Sequence, residues 1–182
     1  MRTLKEIVRK ELSSEKLDAL IQRQKKAGRD IELLHYIIKS HDFSCKKYGF
    51  FEIYNSELKQ CDFTAAEILH PVFGEVFGTE INFSCAVFKK GEIIWSKLPG
   101  AVFRDSIMSR MYFFETDLSG ADFTGADLTA ASFIKCNLNR VVFKNTLIEK
   151  TRFEDCSMKD VCGMPDYAHT YTPVMFSSKN HE

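Results

Sequence analysis

Between residues 119 and 133 the chain reads SGADFTGADLTAASF, and a large apolar residue returns at every fifth place. A helix presents the same face every 3.6 residues and a strand every 2, so neither element alone accommodates a period of five. The frame extends in both directions. From Phe43 to Met158, in steps of five, twenty-four consecutive positions hold Phe, Leu, Ile, Met or Tyr, and Gly78 is the one exception. A fixed period over so much of a chain marks a repeat architecture, in which each unit buries its apolar side only by stacking on its neighbours.

Two residues before each large position the chain prefers a small side chain, among them Ser56, Cys61, Ala66, Ala101, Ala121, Ala126, Ala131 and Cys136. This alternation resembles the pentapeptide-repeat family, whose pattern is a loose A(D/N)Lxx. Ala121-Asp122-Phe123, Ala126-Asp127-Leu128 and Cys136-Asn137-Leu138 are the closest copies, and the resemblance covers residues 41–160. It implies a mainly β fold: a right-handed quadrilateral β-helix of about six coils, in which one repeat forms one side and four complete a coil.

Such a coil has twenty residues, so self-similarity sharpens at that spacing. Phe43, Phe63, Phe83, Phe103, Phe123 and Phe143 form one column, and Ile53, Phe73, Ile93, Phe113, Phe133 and Phe153 another. Columns of this kind fill the axis of a tube and stack with offset ring contacts. With coils about 4.8 Å apart, six coils make a rod on the order of 29 Å long. The weakest stretch is HPVFGEVFGTEIN, residues 70–82, where Pro71 replaces a small residue and Gly78 a core residue. A local packing irregularity or outward bend is expected there.

A rod of coils exposes apolar core and unpaired backbone at both ends and needs caps. Residues 1–40 are assigned to a helical N-terminal cap of two or three short helices, with Leu4, Ile7, Val8 and Leu12 on one face, Leu17, Leu20 and Ile21 on a second, and Ile31, Leu34 and Ile38 on a third. The basic run RQKKAGR, residues 23–29, reads as a solvated helix face, with an acidic partner or nucleic acid as the alternative. Residues 161–182 are assigned to a C-terminal tail, in which Tyr167, Tyr171, Val174, Met175 and Phe176 are expected to lie over the last coil and SSKNHE to be disordered. Quinolone-resistance members of the family dimerise through a C-terminal helix, and no amphipathic helix is legible here.

Charge is balanced at 25 basic against 25 acidic residues, so nothing global points to nucleic-acid binding. No apolar run has the length of a signal peptide or membrane span, and a cytoplasmic protein is expected. Six cysteines, at 45, 61, 85, 136, 156 and 162, form no CxxC pair and read as reduced thiols. Cys136 and Cys156 stand one coil apart on an inward column, at a separation compatible with a disulfide, although both occupy the ordinary small site. No catalytic or nucleotide-binding motif occurs; the chain reads as no enzyme, with no cofactor and no metal.

Function therefore falls to the outer surface. On the side whose core column runs from Ile53 to Phe153, the outward positions Val72, Ile94, Trp95, Tyr112, Phe114 and Ile134 form an apolar strip across consecutive coils. Such a strip marks a protein-docking surface, homodimerisation included, unless the N-terminal helices fold back over it. Glu115, Asp117, Asp122 and Asp127 form an acidic belt with no Lys or Arg between residues 111 and 134. The family resemblance attaches an alternative to that belt: mimicry of duplex DNA and binding to DNA gyrase or topoisomerase IV, protecting against a quinolone or toxin. A secreted bacterial effector is a further alternative. The leading expectation is a non-catalytic interaction module with an unidentified protein partner.

Overall fold

In the backbone, the period of five becomes a repeated corner. From His35 to Asp160 every fifth residue has positive φ except Phe50 and His70. A hydrogen bond spans the corner wherever it is tight, as from Ala126 N–H to the Phe123 carbonyl, 2.9 Å, with Gly125 at φ 72° between them. That is a type II turn, in which the third residue must be left-handed. Twenty-one of these corners are held by residues other than glycine. Their strain is balanced by coil-to-coil hydrogen bonds such as Gly125 N–H to the Lys144 carbonyl, 2.9 Å.

The structure is a computed structural model that describes residues 9–164 and 174–176. Its elements run β1 (Lys10–Leu12), α1 (Ser14–Lys26), β2 (Ile31–Leu34), β3 (Tyr36–Lys39), β4 (Lys47–Tyr54), β5 (Glu57–Lys59), β6 (Glu67–Gly74), β7 (Phe77–Thr79), β8 (Val87–Phe88), β9 (Glu92–Ile94), β10 (Tyr112–Phe114), β11 (Ser132–Ile134), β12 (Arg152–Glu154) and β13 (Val174–Phe176). All pairings are parallel and connect residues twenty apart through the body of the rod, as in Phe113↔Phe133 and Leu58↔Gly78. One side is a nine-stranded sheet, β13-β12-β11-β10-β9-β6-β4-β2 with β8 also on β6; a second is the sheet β1-β3-β5-β7. The other sides, and the continuation of the second, are ladders of single bridges such as Asp62↔Asn82 and Asp127↔Leu147. This is the four-sided β-solenoid expected from the repeat.

The large residues of the frame point inward. The phenylalanine column from Phe43 to Phe143 stacks at centroid distances of 4.4, 5.0, 4.9, 4.6 and 5.6 Å, and all six rings are buried. Burying a phenylalanine contributes about 1.5–3 kcal/mol. The small sites carry polar atoms without penalty because these bond the backbone, most often of the previous coil; Thr116 Oγ1 donates to the Ile93 carbonyl at 3.0 Å and Thr151 Oγ1 to the Leu128 carbonyl at 2.8 Å, while Ser106 Oγ donates to the Phe103 carbonyl of its own coil at 2.8 Å.

Three expectations change. The N-terminal cap contains one described helix, α1. Residues 31–39, assigned above to a third helix, are β2 and β3, and pair with β4 and β5. The solenoid therefore begins at Ile31, with Leu33 and Ile38 continuing the frame inward. Helix α1 buries Leu17 and Ile21, while β1 pairs with β3, so Leu12 stands opposite Ile38. In the 70–82 stretch, Gly78 causes no bulge. Leu98 fills the space from the next coil, and Ile81 Cγ1 lies 2.9 Å from where a β-carbon would stand. The irregularity lies instead at Phe50 and His70, where the left-handed corner is missing and β4 and β6 each continue through it as one eight-residue strand, with the pairing interrupted only at Gly49 and Leu69. A residue before proline is held extended, so His70 cannot turn ahead of Pro71. At the other end β13 pairs with β12, Phe153↔Met175, extending the large sheet. Tyr167, Tyr171 and SSKNHE lie outside the described residues.

Candidate interaction surface

On the nine-stranded sheet, residues flanking the inward column face outward. The register sets Val72 beside Glu92 and Glu92 beside Tyr112. One position further out it aligns Gly74, Ile94, Phe114 and Ile134 in consecutive strands. All six residues singled out from the sequence thus share one face. Trp95 occupies a left-handed corner, φ 50°, which turns its ring back against Phe114 at 6.1 Å, edge to face. Tyr112 stacks on Phe114 at 6.0 Å, and the Lys135 ammonium lies 5.8 Å above the Phe114 ring.

The strip is open among the described residues. Trp95 is 47% exposed and Tyr112 36%, while Val72, Ile94, Phe114 and Ile134 are half-buried. Helix α1 packs on β2 at the end of the rod and does not cover Trp95. The Tyr112 hydroxyl is held above its ordinary pKa by partial burial and by nearby anionic groups. The Tyr54 hydroxyl is raised by its 2.9 Å hydrogen bond to Glu75 Oε1. Both phenols are therefore neutral donors at the edge of an apolar surface.

Two members of the strip were not singled out from the sequence. Leu34, 40% exposed, and Tyr54 continue the outward row of Gly74, Ile94, Phe114 and Ile134, and the Tyr54 ring lies over Gly74 where a β-carbon would collide with it. Leu34 was missed because residues 31–39 were read at helical spacing; carrying the five-residue frame back to Leu33 would have found it.

The acidic belt is built differently. Asp117, Asp122 and Asp127 lie on three successive sides of one coil, so they run around the rod rather than along it. Each Oδ1 accepts the backbone N–H two residues on: Ser119 at 3.0 Å, Thr124 at 2.9 Å and Thr129 at 2.8 Å. Asn82 and Asn137 do the same for Ser84 and Asn139, so the position needs an acceptor and not a charge. Asp122 is also bonded by Arg104 at 2.6 Å; burial works against its charge, but the bonds from Thr124 and Arg104 hold its pKa below the usual carboxylate value. Glu115 faces Lys135 at 3.8 Å. Along the rod, Asp122 sits between Val102 and Val142, and Asp127 between Ile107 and Leu147.

Cys136 and Cys156 stand on adjacent coils, joined by the bond from Ser157 N–H to the Cys136 carbonyl at 3.0 Å, and are unbridged. Each thiol points to a backbone carbonyl, Cys136 to Ile134 and Cys156 to Phe133, both at 3.4 Å; interaction between the two neighbouring thiols, with burial, pushes Cys136 up, and the same interaction pulls Cys156 down. Among the described residues no three His, Cys, Asp or Glu side chains converge to hold a metal ion, and no helix is long and apolar enough to cross a membrane.

A family profile described as pentapeptide repeats, eight copies long, matches residues 106–145 and 121–160. No curated protein matches the chain. Among solved structures it is similar to a pentapeptide repeat protein of the Arabidopsis thaliana thylakoid lumen, 30% identical over 44% of this chain and 56% of that one, TM-score 0.43. The chain thus spans little more than half of that protein. It is also similar to HetL from the cyanobacterium Nostoc, described as involved in heterocyst differentiation regulation, at 13% identity, 78% and 90% coverage and TM-score 0.45. QnrB1, described as a plasmid-mediated fluoroquinolone resistance protein, is 17% identical with 82% and 92% coverage and TM-score 0.45.

Proposed function

We propose, from the premise that the chain belongs to the pentapeptide-repeat family, that it acts without catalysis as a rigid protein-docking module whose contact face is the strip centred on Trp95. The observation that carries this reading is the open aromatic cluster of Trp95, Tyr112 and Phe114 on a paired sheet. Exposed contiguous apolar surface marks interaction sites, and Trp and Tyr dominate the energetics of protein interfaces. A sheet held by coil-to-coil bonds is already ordered, so little entropy opposes docking there.

The topoisomerase-mimic alternative has less support. Its aspartates run around three sides of one coil and accept turn hydrogen bonds; along the rod Asp117 lies between Lys97 and Asn137, and Asp122 and Asp127 lie between apolar residues. A supercoiling assay with purified gyrase remains its direct test.

For the docking reading, a photo-crosslinking residue is placed at Ile134 and, separately, at Leu147, which is exposed on another side. The expected outcome is a discrete crosslinked species from Ile134 alone, either a second copy or another protein, lost on Trp95→Ala. Equal labelling from both positions, or labelling indifferent to Trp95→Ala, would overturn it.

A further inference from the structure

Beside the Trp95 strip, the two missing corners leave a groove. Because Phe50 and His70 lack the left-handed corner, β4 and β6 continue through it unbroken; at Lys90 the corner returns, φ 54°, and the chain divides into β8 and β9, which pair with the two ends of β6. Gly91 lies directly against Pro71, where a β-carbon would strike the proline carbonyl and ring. The resulting groove, 550 Å³ in volume, has Phe50, His70, Val72, Lys90, Gly91, Glu92, Arg110 and Tyr112 around it.

Its lining leans to positive charge at the corner, while Glu52 stands in the same outward row as Val72 and Glu92 on the strand side. His70, Lys90 and Arg110 stand one coil apart in a single corner column, roughly 4.8 Å per step, against the one carboxylate of Glu92. Among the described residues, the eight ion pairs of the surface include none of these three cationic or donor side chains. Like charges stacked in adjacent strands repel, and an incoming carboxylate relieves that repulsion while gaining charge-assisted hydrogen bonds. The floor is apolar: Val72 and Tyr112 belong to the groove and to the Trp95 strip alike. The two therefore form one continuous surface, cationic at the corner and aromatic across the strand. From Lys90 or Arg110 to Trp95 or Phe114 is about four residues of extended chain, on the order of 13 Å.

We propose that the partner of this face is an extended acidic peptide segment of another protein, which seats a carboxylate on the His70, Lys90 and Arg110 column and an apolar side chain about four residues away on Trp95 and Phe114. This rests on the reading of the Trp95 strip as a docking surface and adds the chemistry of what docks. Charge complementarity selects the occupant: an all-apolar segment leaves the column unpaired, and a basic one adds to its repulsion.

The test uses the full chain and synthetic twelve-residue peptides carrying one Asp or Glu and one Phe or Leu at varied spacing. Matched sets have the acid replaced by its amide or the apolar residue by Ser, and binding is read by fluorescence anisotropy. The expected result is selective binding of the acid-plus-apolar set with an optimum near four residues. The amide set should bind roughly tenfold more weakly, with a similar loss on Lys90→Glu, Arg110→Glu or the milder Arg110→Gln, each checked for an unchanged melting transition. Equal binding of acid and amide sets, lost on Trp95→Ala but not on Lys90→Glu, would overturn the acidic partner and leave the docking face standing. Acid-selective binding that ignores Trp95→Ala would remove the aromatic anchor and the docking reading with it. Binding by no peptide set, or stronger competition by a single-stranded oligonucleotide through the same lysine and arginine, would overturn the proposal.

Discussion

His41 is 2% exposed at the top of the phenylalanine column, 4.3 Å from the Phe43 ring, with neither ring nitrogen hydrogen-bonded. Burial lowers its pKa from 6.5; Asp18 of α1 and Asp42 pull the other way, and Lys46 adds to the lowering. Because the folded value is below the unfolded one, the unfolded chain takes up the proton first as pH falls below 6.5. The stabilisation is present above that pH and is lost as pH falls through the folded value. Replacement by Phe suits the site, since Phe51 is buried at an equivalent position. Urea melts of His41→Phe should therefore show a smaller loss of midpoint just below pH 6.5 than wild type; equal losses would place the acid sensitivity elsewhere. At this scale the inward residues were legible from the five-residue frame alone. The corner residues were not, because Trp95, Lys90 and Arg110 carry no sequence mark of positive φ, and neighbouring coils impose it on them.

Among the elements, the N-terminal strands show where sequence reading met its limit. Ile31, Leu34 and Ile38 fit a helical stripe, while Leu33 and Ile38 fit the five-residue frame, and over nine residues the two periods coincide too closely to separate. Pairing with β4 and β5 decides it. The irregular stretch at 70–82 was legible through Pro71, but its form was not: proline acts one residue earlier, at His70, and the groove that follows depends on Phe50 in the adjacent strand. Strand β7 carries its own test. Leu98 already occupies the room of the absent Gly78 side chain, so Gly78→Ala should destabilise by about 1–3 kcal/mol through overpacking. Leu98→Ala in the same chain should recover part of that, and a double-mutant cycle measures the coupling. Strict additivity would mean that Leu98 is not the obstacle.

For the whole molecule, stability is a sum along one axis, since each coil touches only its neighbours. Phe103 sits in mid-rod, 4.9 Å from Phe83 and 4.6 Å from Phe123. Phe103→Asp places an uncompensated carboxylate in that column, a penalty of several kcal/mol. Circular dichroism should show loss of the cooperative transition, and native-like melting of this variant would refute the inward frame. The shared face of the apolar strip was legible because its outward positions follow from that frame once the side of the square is known.

The chain contains one tryptophan, and it stands on the exposed apolar strip rather than in the core. Its fluorescence therefore reports on that strip and is nearly blind to the axis of the rod. In the free protein the indole is about half open to water; a partner that covers it shifts the emission further to the blue and shields it from iodide, with no label attached. Unfolding followed by the same signal understates the collapse of the phenylalanine column, so titrations belong to tryptophan and melts to circular dichroism.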